Sequence, residues 1–169
     1  MWERTLNVCS ISKGIGLCGF RIGYIYACDT IMDVLYGGAV NVMGAASTLS
    51  SLGAVTALRD EAHLKSNYDR LERRRRMAYE ILSPIPGVEM RMSESGILSW
   101  INIEKLGSSG EVASYILEHA KVLINEGGAY GVHGEGFLRI VTGCFGSDRK
   151  AEEALLRIKA ALVELGREK

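Results

Sequence analysis

Lys13 and Arg21 stand eight residues apart in Ser10-Ile11-Ser12-Lys13-Gly14-Ile15-Gly16-Leu17-Cys18-Gly19-Phe20-Arg21-Ile22-Gly23, a glycine-dense turn between two apolar runs. A lysine beside a second cation and partly withdrawn from water gives up its proton more readily, and its amine becomes a nucleophile. Arginine stays charged in any surroundings and calls for an anion. The plain alternative is that both are solvated loop residues. A third cation, Arg139, lies in the middle of an apolar run from Phe137 to Thr142. On an alternating strand it shares a face with Phe137 and Val141, where a charge is costly unless an anion meets it. A structural ion pair or an edge-strand position would satisfy it as well.

Nucleotide chemistry is the first possibility to test, because Gly14-Ile15-Gly16-Leu17-Cys18-Gly19 satisfies Gly-x-Gly-x-x-Gly. A dinucleotide fold needs that motif to open a helix, but the residues that follow are β-branched and aromatic and read as strand. A kinase loop runs strand to strand, yet its lysine comes later and His-Arg-Asp and Asp-Phe-Gly are absent. A Walker loop places Lys after the glycines, whereas Lys13 precedes them. All three readings fail.

What remains is Ser-x-Ser-Lys followed by Leu-x-Gly-x-Arg-x-Gly, met by Ser10, Ser12, Lys13, Leu17, Gly19, Arg21 and Gly23. This resembles the lysine signature of the class I/II aminotransferases, fold-type I pyridoxal-phosphate enzymes. Gly127 to Ile140 (Gly-x-x-Tyr-Gly-x-x-Gly-Glu-Gly-Phe-x-Arg-Ile) is similar to the family's carboxylate-binding segment, without the proline usual ahead of it. The resemblance covers essentially the whole chain. It implies pyridoxal 5'-phosphate as cofactor, with Lys13 forming its Schiff base and then shuttling a proton. It implies Ser10 and Arg21, and more weakly Ser12, as phosphate ligands, and Arg139 as the clamp on the substrate's α-carboxylate. An amino acid and a 2-oxo acid are the implied substrates, a homodimer the implied assembly.

In that family the signature lysine lies past the middle of the chain. The part before it supplies a glycine-containing phosphate loop, an aromatic stacked on the ring, and an Asp on the ring nitrogen. Only a dozen residues precede Lys13 here. The expectation is therefore a C-terminal half: a fragment, a truncated gene product, or one subunit of a split enzyme with a separate N-terminal half. A pyridoxal-phosphate lyase or racemase of the same fold, or a non-catalytic, self-associating remnant, are the alternatives.

The elements that must position these residues follow from pattern. Leu6 to Ile11 and Phe20 to Ala27 read as strands flanking the glycine turn. Thr30 to Leu35 reads as a short helix ending at Gly37-Gly38, and Met43 to Leu82 as one long helical stretch with Tyr68, Leu71, Ala78, Ile81 and Leu82 as its apolar stripe. Within it, Arg73-Arg74-Arg75-Arg76 point in four directions and read as a solvated face. Ser83-Pro84-Ile85-Pro86-Gly87 stops the helix and marks the domain boundary, giving 1–83 and 84–169. Beyond it, Ile97 to Ile103, Val122 to Ile124 and Phe137 to Thr142 read as strands. Ser108 to Glu111 has capping-box spacing ahead of a helix, and Ser147 caps a last helix with Ala151, Ala154, Leu155, Ile158, Ala161, Leu162 and Leu165 in helical register. The expected fold class is α/β: a remnant of the large cofactor-binding domain, with strand-loop-strand and long helix, plus a small α+β C-terminal domain.

Composition narrows the rest. The 169 residues are 47 % apolar and 24 % charged with zero formal net charge, which gives no reason to expect nucleic acid or an acidic membrane as partner. Val34 to Leu58 carries no charge but is interrupted by glycine, serine, threonine and asparagine, and reads as buried interior, not membrane. Cys9, Cys18, Cys28 and Cys144 have no Cys-x-x-Cys pairing, and His63, His119 and His133 no ligand-like spacing. Free thiols in a reducing cytoplasm, with no metal site, are expected. Trp100 and Tyr130 read first as core aromatics, though they could wall a pocket.

Overall fold

The computed structural model describes residues 1–168. The chain divides into two compact units, Met1–Tyr68 and a second from Asp69 onward. The first is built on an antiparallel pair, β1 (Asn7–Ser10) and β2 (Gly23–Tyr26), in register Ser10 to Gly23. Gly23 is required there, since a Cβ would lie 2.7 Å from the Cys9 carbonyl oxygen. Three helices follow, α1 (Asp29–Val42), α2 (Thr48–Arg59) and α3 (Glu61–Leu82). Their arrangement corrects two expectations. α1 runs through Gly37-Gly38 and stops where Gly44, at φ +68°, takes the left-handed conformation and donates its N–H to Ala39 O at 3.1 Å. Mid-helix glycines cost stability without ending a helix, whereas a left-handed glycine ends it. The stretch Met43 to Leu82 is two helices, because the Ser47 side chain caps α2 and Asp60 interrupts the chain and accepts the His63 N–H at 2.9 Å.

Burial supplies a third correction. The small core of this unit is Ile11, Ile15 and Ala54, with Leu17, Ile22, Ala57 and Leu64 packed against it. The uncharged segment expected as interior is largely open, apart from Ala54 and Ala57. α1 has no buried residue, and Val42 is 85 % and Leu49 78 % exposed. All four residues of β2 are exposed as well. Tyr68, placed on the apolar stripe of α3, is exposed too, while Ala78 and Leu82 are fully buried.

The second unit is a four-stranded antiparallel sheet in the order β3 (Glu89–Met90), β4 (Leu98–Asn102), β6 (Phe137–Val141), β5 (Asn125–Glu126). Ile101, Leu138 and Ile140 turn inward onto α4 (Ser109–Ala120) and α5 (Asp148–Arg167). Ser108 and Glu111 form the capping box of α4, and the Ser147 side chain caps α5. The strand expected at Val122 to Ile124 lies further on, at Asn125–Glu126, because Ile124 is spent in the core and the next two residues pair with β6. The arginine run also departs from expectation. Arg73 and Arg76 are exposed, but Arg74 is 1 % exposed and Arg75 is buried. Arg74 Nε donates to Asp148 at 2.9 Å and its Nη1 to Phe145 O at 2.9 Å, while Arg75 Nη1 donates to Gly96 O at 3.2 Å. Buried guanidinium groups survive because each meets an anion or carbonyls.

The mixed α and β character expected from the sequence holds: five α-helices and two small antiparallel sheets are found among the described residues. No helix among them is long and apolar enough to cross a membrane.

Candidate functional site

Ser10 ends β1, and Ser12, Lys13 and Arg21 follow on the connection 11–22 between β1 and β2. Ile11 and Ile15 anchor this loop in the small core, and Lys13 lies at its exposed crest between them. The ladder is extended by Ile11 N–H to Ile22 O at 3.4 Å, and the loop is drawn closed by Leu17 N–H to Ile11 O at 3.3 Å. Desolvation of the Lys13 amine, expected from the sequence, is not supplied by this unit's residues, since Lys13 is exposed. No carboxylate pairs with it among the described residues.

Arg21 occupies the left-handed region, φ 54° and ψ 44°, after a short 3-10 turn at Cys18–Phe20. That conformation costs a residue with a Cβ about 1 kcal/mol. It is held by the Arg21 guanidinium itself, whose Nη1 donates to Cys18 O at 2.9 Å. Ser10 Oγ accepts the Ser12 N–H at 3.2 Å, which leaves the Ser10 hydroxyl proton free to donate outward. One turn thus exposes an amine, two hydroxyls and a guanidinium with donors to spare.

Arg139 lies in the second unit. Alternation along β6 buries Leu138 and Ile140 and turns Phe137, Arg139 and Val141 to the open face. Its cross-strand partners there are Trp100 on β4 and Asn125 on β5. Nη1 donates to Asn125 Oδ1 at 3.1 Å and to Tyr130 Oη at 2.9 Å, and the guanidinium lies 5.1 Å from the Tyr130 ring centre. Trp100 packs edge-on to Tyr130, with ring centres 5.6 Å apart. Among the described residues Arg139 has only neutral partners, so its charge is unanswered.

Asn125 is not picked out by sequence, and Trp100 and Tyr130 read first as core aromatics that could wall a pocket. Tyr130 and Trp100 carry no spacing that separates them from core aromatics, and Asn125 is marked only by the strand register that sets it opposite Arg139.

The loop that carries Tyr130 is built to be rigid. Glu135 accepts the Ser109 N–H at 2.7 Å and the Ser109 hydroxyl at 2.8 Å, and Ser109 Oγ in turn accepts the Gly128 N–H at 3.2 Å. The Ser109 backbone and hydroxyl donors, with the Gly136 N–H, hold the Glu135 carboxyl below the usual carboxylate range. Gly127 and Gly134 approach so closely that a Cβ on either would strike the other's carbonyl.

Comparison with known proteins gives the family. The model of the family "Aminotransferase class I and II" matches residues 2–158, and the chain belongs to that family. It is 30 % identical over 168 residues to a probable aspartate/prephenate aminotransferase of Aquifex aeolicus, covering 95 % of this chain and 42 % of that protein. Among solved structures, an aromatic aminotransferase of Pyrococcus horikoshii OT3 superposes with a TM-score of 0.81 at 27 % identity, over 97 % of this chain and 44 % of that one. A PLP-bound putative aminotransferase of Clostridium difficile 630 gives 0.81 at 25 % identity, over 95 % and 42 %. The chain spans less than half the length of these relatives.

Proposed function

We propose that these residues are the C-terminal part of a pyridoxal-phosphate-dependent aminotransferase site, which moves an amino group between an amino acid and a 2-oxo acid. The observation that carries the reading is Arg21, held in a strained backbone conformation on the same turn that exposes an unpaired Lys13. Strain of that kind persists where function selects it. The donor set fits the cofactor: an amine for its aldehyde, and two hydroxyls and a guanidinium for its phosphate. When bound, pyridoxal phosphate supplies an electron sink for the bonds at an amino acid's Cα.

The chain's own residues would do the rest. Lys13 anchors the group through its amine and, once displaced, holds and moves the proton at Cα. Ser10, Ser12 and Arg21 donate to the phosphate oxygens. Arg139 takes the α-carboxylate with two parallel hydrogen bonds from its remaining donors, while Asn125 and Tyr130 fix its plane. Residues 1–83 then correspond to the end of the large domain and 84–169 to the small one. The working enzyme is a dimer, with the rest of the large domain supplied by further chain or by a separate N-terminal half. Four unpaired thiols support a cytoplasmic setting.

Adding pyridoxal phosphate to the purified chain tests the lysine. A yellow absorbance band that Lys13→Ala abolishes is the expected result; no band, or one that survives the substitution, refutes the reading for this chain. A second reading, a non-catalytic domain that associates with itself, is favoured by the open apolar faces of α1 and α2. Concentration-dependent mass without the band would select it.

A further inference from the structure

The loop that Lys13 crests is tied to α3, a helix far along the chain. The Ile15 carbonyl of that loop is gripped from this helix. Asn67 Nδ2 donates to Ile15 O at 3.1 Å, and His63 Nε2 lies 3.1 Å from the same oxygen. The two side chains meet each other at 2.9 Å. His63 and Asn67 are one turn apart on α3, so they reach the loop as a pair. Asn67 is 6 % exposed, whereas Lys13 is open to solvent. Gly16, at φ +83°, follows directly and turns the chain back so that the Leu17 N–H can reach Ile11 O.

We infer that Asn67, oriented by His63, is the positioning residue of the Lys13 turn. The Asn67 amide donates to Ile15 O, and the imidazole Nε2 lies within hydrogen-bond distance of both that oxygen and the amide nitrogen. The imidazole, set against the amide one helical turn away, limits its rotation. Ile11 and Ile15 hold the two ends of the Ile11–Ile15 segment by burial, but burial is indifferent to the direction of a carbonyl. The amide sets that direction, and with it the peptide planes leading back to Lys13. The inference rests on the reading of Lys13 as the cofactor's anchor.

Reductive trapping with pyridoxal phosphate and borohydride, followed by peptide mapping, tests it. In the unaltered chain Lys13 is expected to carry more label than the chain's other lysines. Asn67→Asp, which sets a carboxylate against the Ile15 carbonyl, and Asn67→Leu, which removes the donor, lower the Lys13 share about tenfold, as loss of one buried hydrogen-bond partner implies. His63→Phe gives an intermediate loss and serves where an Asn67 variant does not fold. A merely structural role would lower the melting temperature and leave the Lys13 share unchanged, and that outcome overturns the inference alone. Equal labelling of all lysines in the unaltered chain overturns the functional reading, and the inference with it.

Discussion

Arg21 separates the demands of fold and function within one side chain. Its left-handed backbone disfavours any residue but glycine, so Arg21→Gly is expected to leave stability unchanged or raise it by up to about 1 kcal/mol in urea denaturation. The same change removes a charged phosphate donor and is expected to weaken pyridoxal-phosphate binding at least about tenfold in an absorbance titration. A loss of stability without a loss of binding would mean that the guanidinium serves the fold alone, through its bond to Cys18 O. Asp148 shows the opposite case, a charge that belongs to the fold. Arg74, ahead of Arg73, holds its carboxyl below the usual carboxylate range. A lowered value in the folded state means stability present above about pH 4 and lost as pH falls through that lowered value. Asp148→Asn leaves a buried guanidinium without its anion and is expected to cost about 1–2 kcal/mol at neutral pH, moderated by the partial exposure of Asp148. Its stability profile should also fall less steeply in acid. None of this is visible in Arg73-Arg74-Arg75-Arg76 as a string, because the partner of Arg74 lies 74 residues downstream.

Elements were legible to the extent that their signals are local. The capping box at Ser108 and Glu111 and the periodicity from Ala151 to Leu162 state their helices outright, and both helices form. Alternation placed Arg139 on the face of Phe137 and Val141, as β6 has it. Boundaries failed where two local signals competed: Gly37-Gly38 resembled a stop, yet the left-handed residue is Gly44, and Asp60 ends one helix while capping the next. The Lys13 turn was legible as a motif, but its support from Ile15 to His63 and Asn67 was not, since no period links positions 15, 63 and 67. The loop 127–136 offers a test at this scale. Gly127→Ala would drive a methyl group into the carbonyls of Gly134 and Phe137, which are backbone and cannot swing aside. A loss of about 3 kcal/mol is expected, near the upper end for overpacking. Loss of the Trp100 near-ultraviolet signal would report that Tyr130 has moved.

At the scale of the whole molecule, apolar burial is distributed unevenly. The second unit closes a continuous core around Ile101, Ile116, Leu138, Leu155 and Leu162, whereas the first buries little beyond Ile11, Ile15 and Ala54. Open apolar side chains on α1 and α2 are expected to make the isolated chain self-associate, read as a rise in apparent mass with concentration in sedimentation. Leu49→Glu with Leu52→Lys should weaken that association at least about tenfold and leave the circular dichroism unchanged, because both side chains are exposed. The same face has a meaning for a living cell. Chaperones and degradative proteases bind the surfaces that a chain fails to cover, and a small shift in that competition changes abundance several-fold. How long this polypeptide persists after synthesis therefore becomes a gauge of whether something in the cell covers α1 and α2.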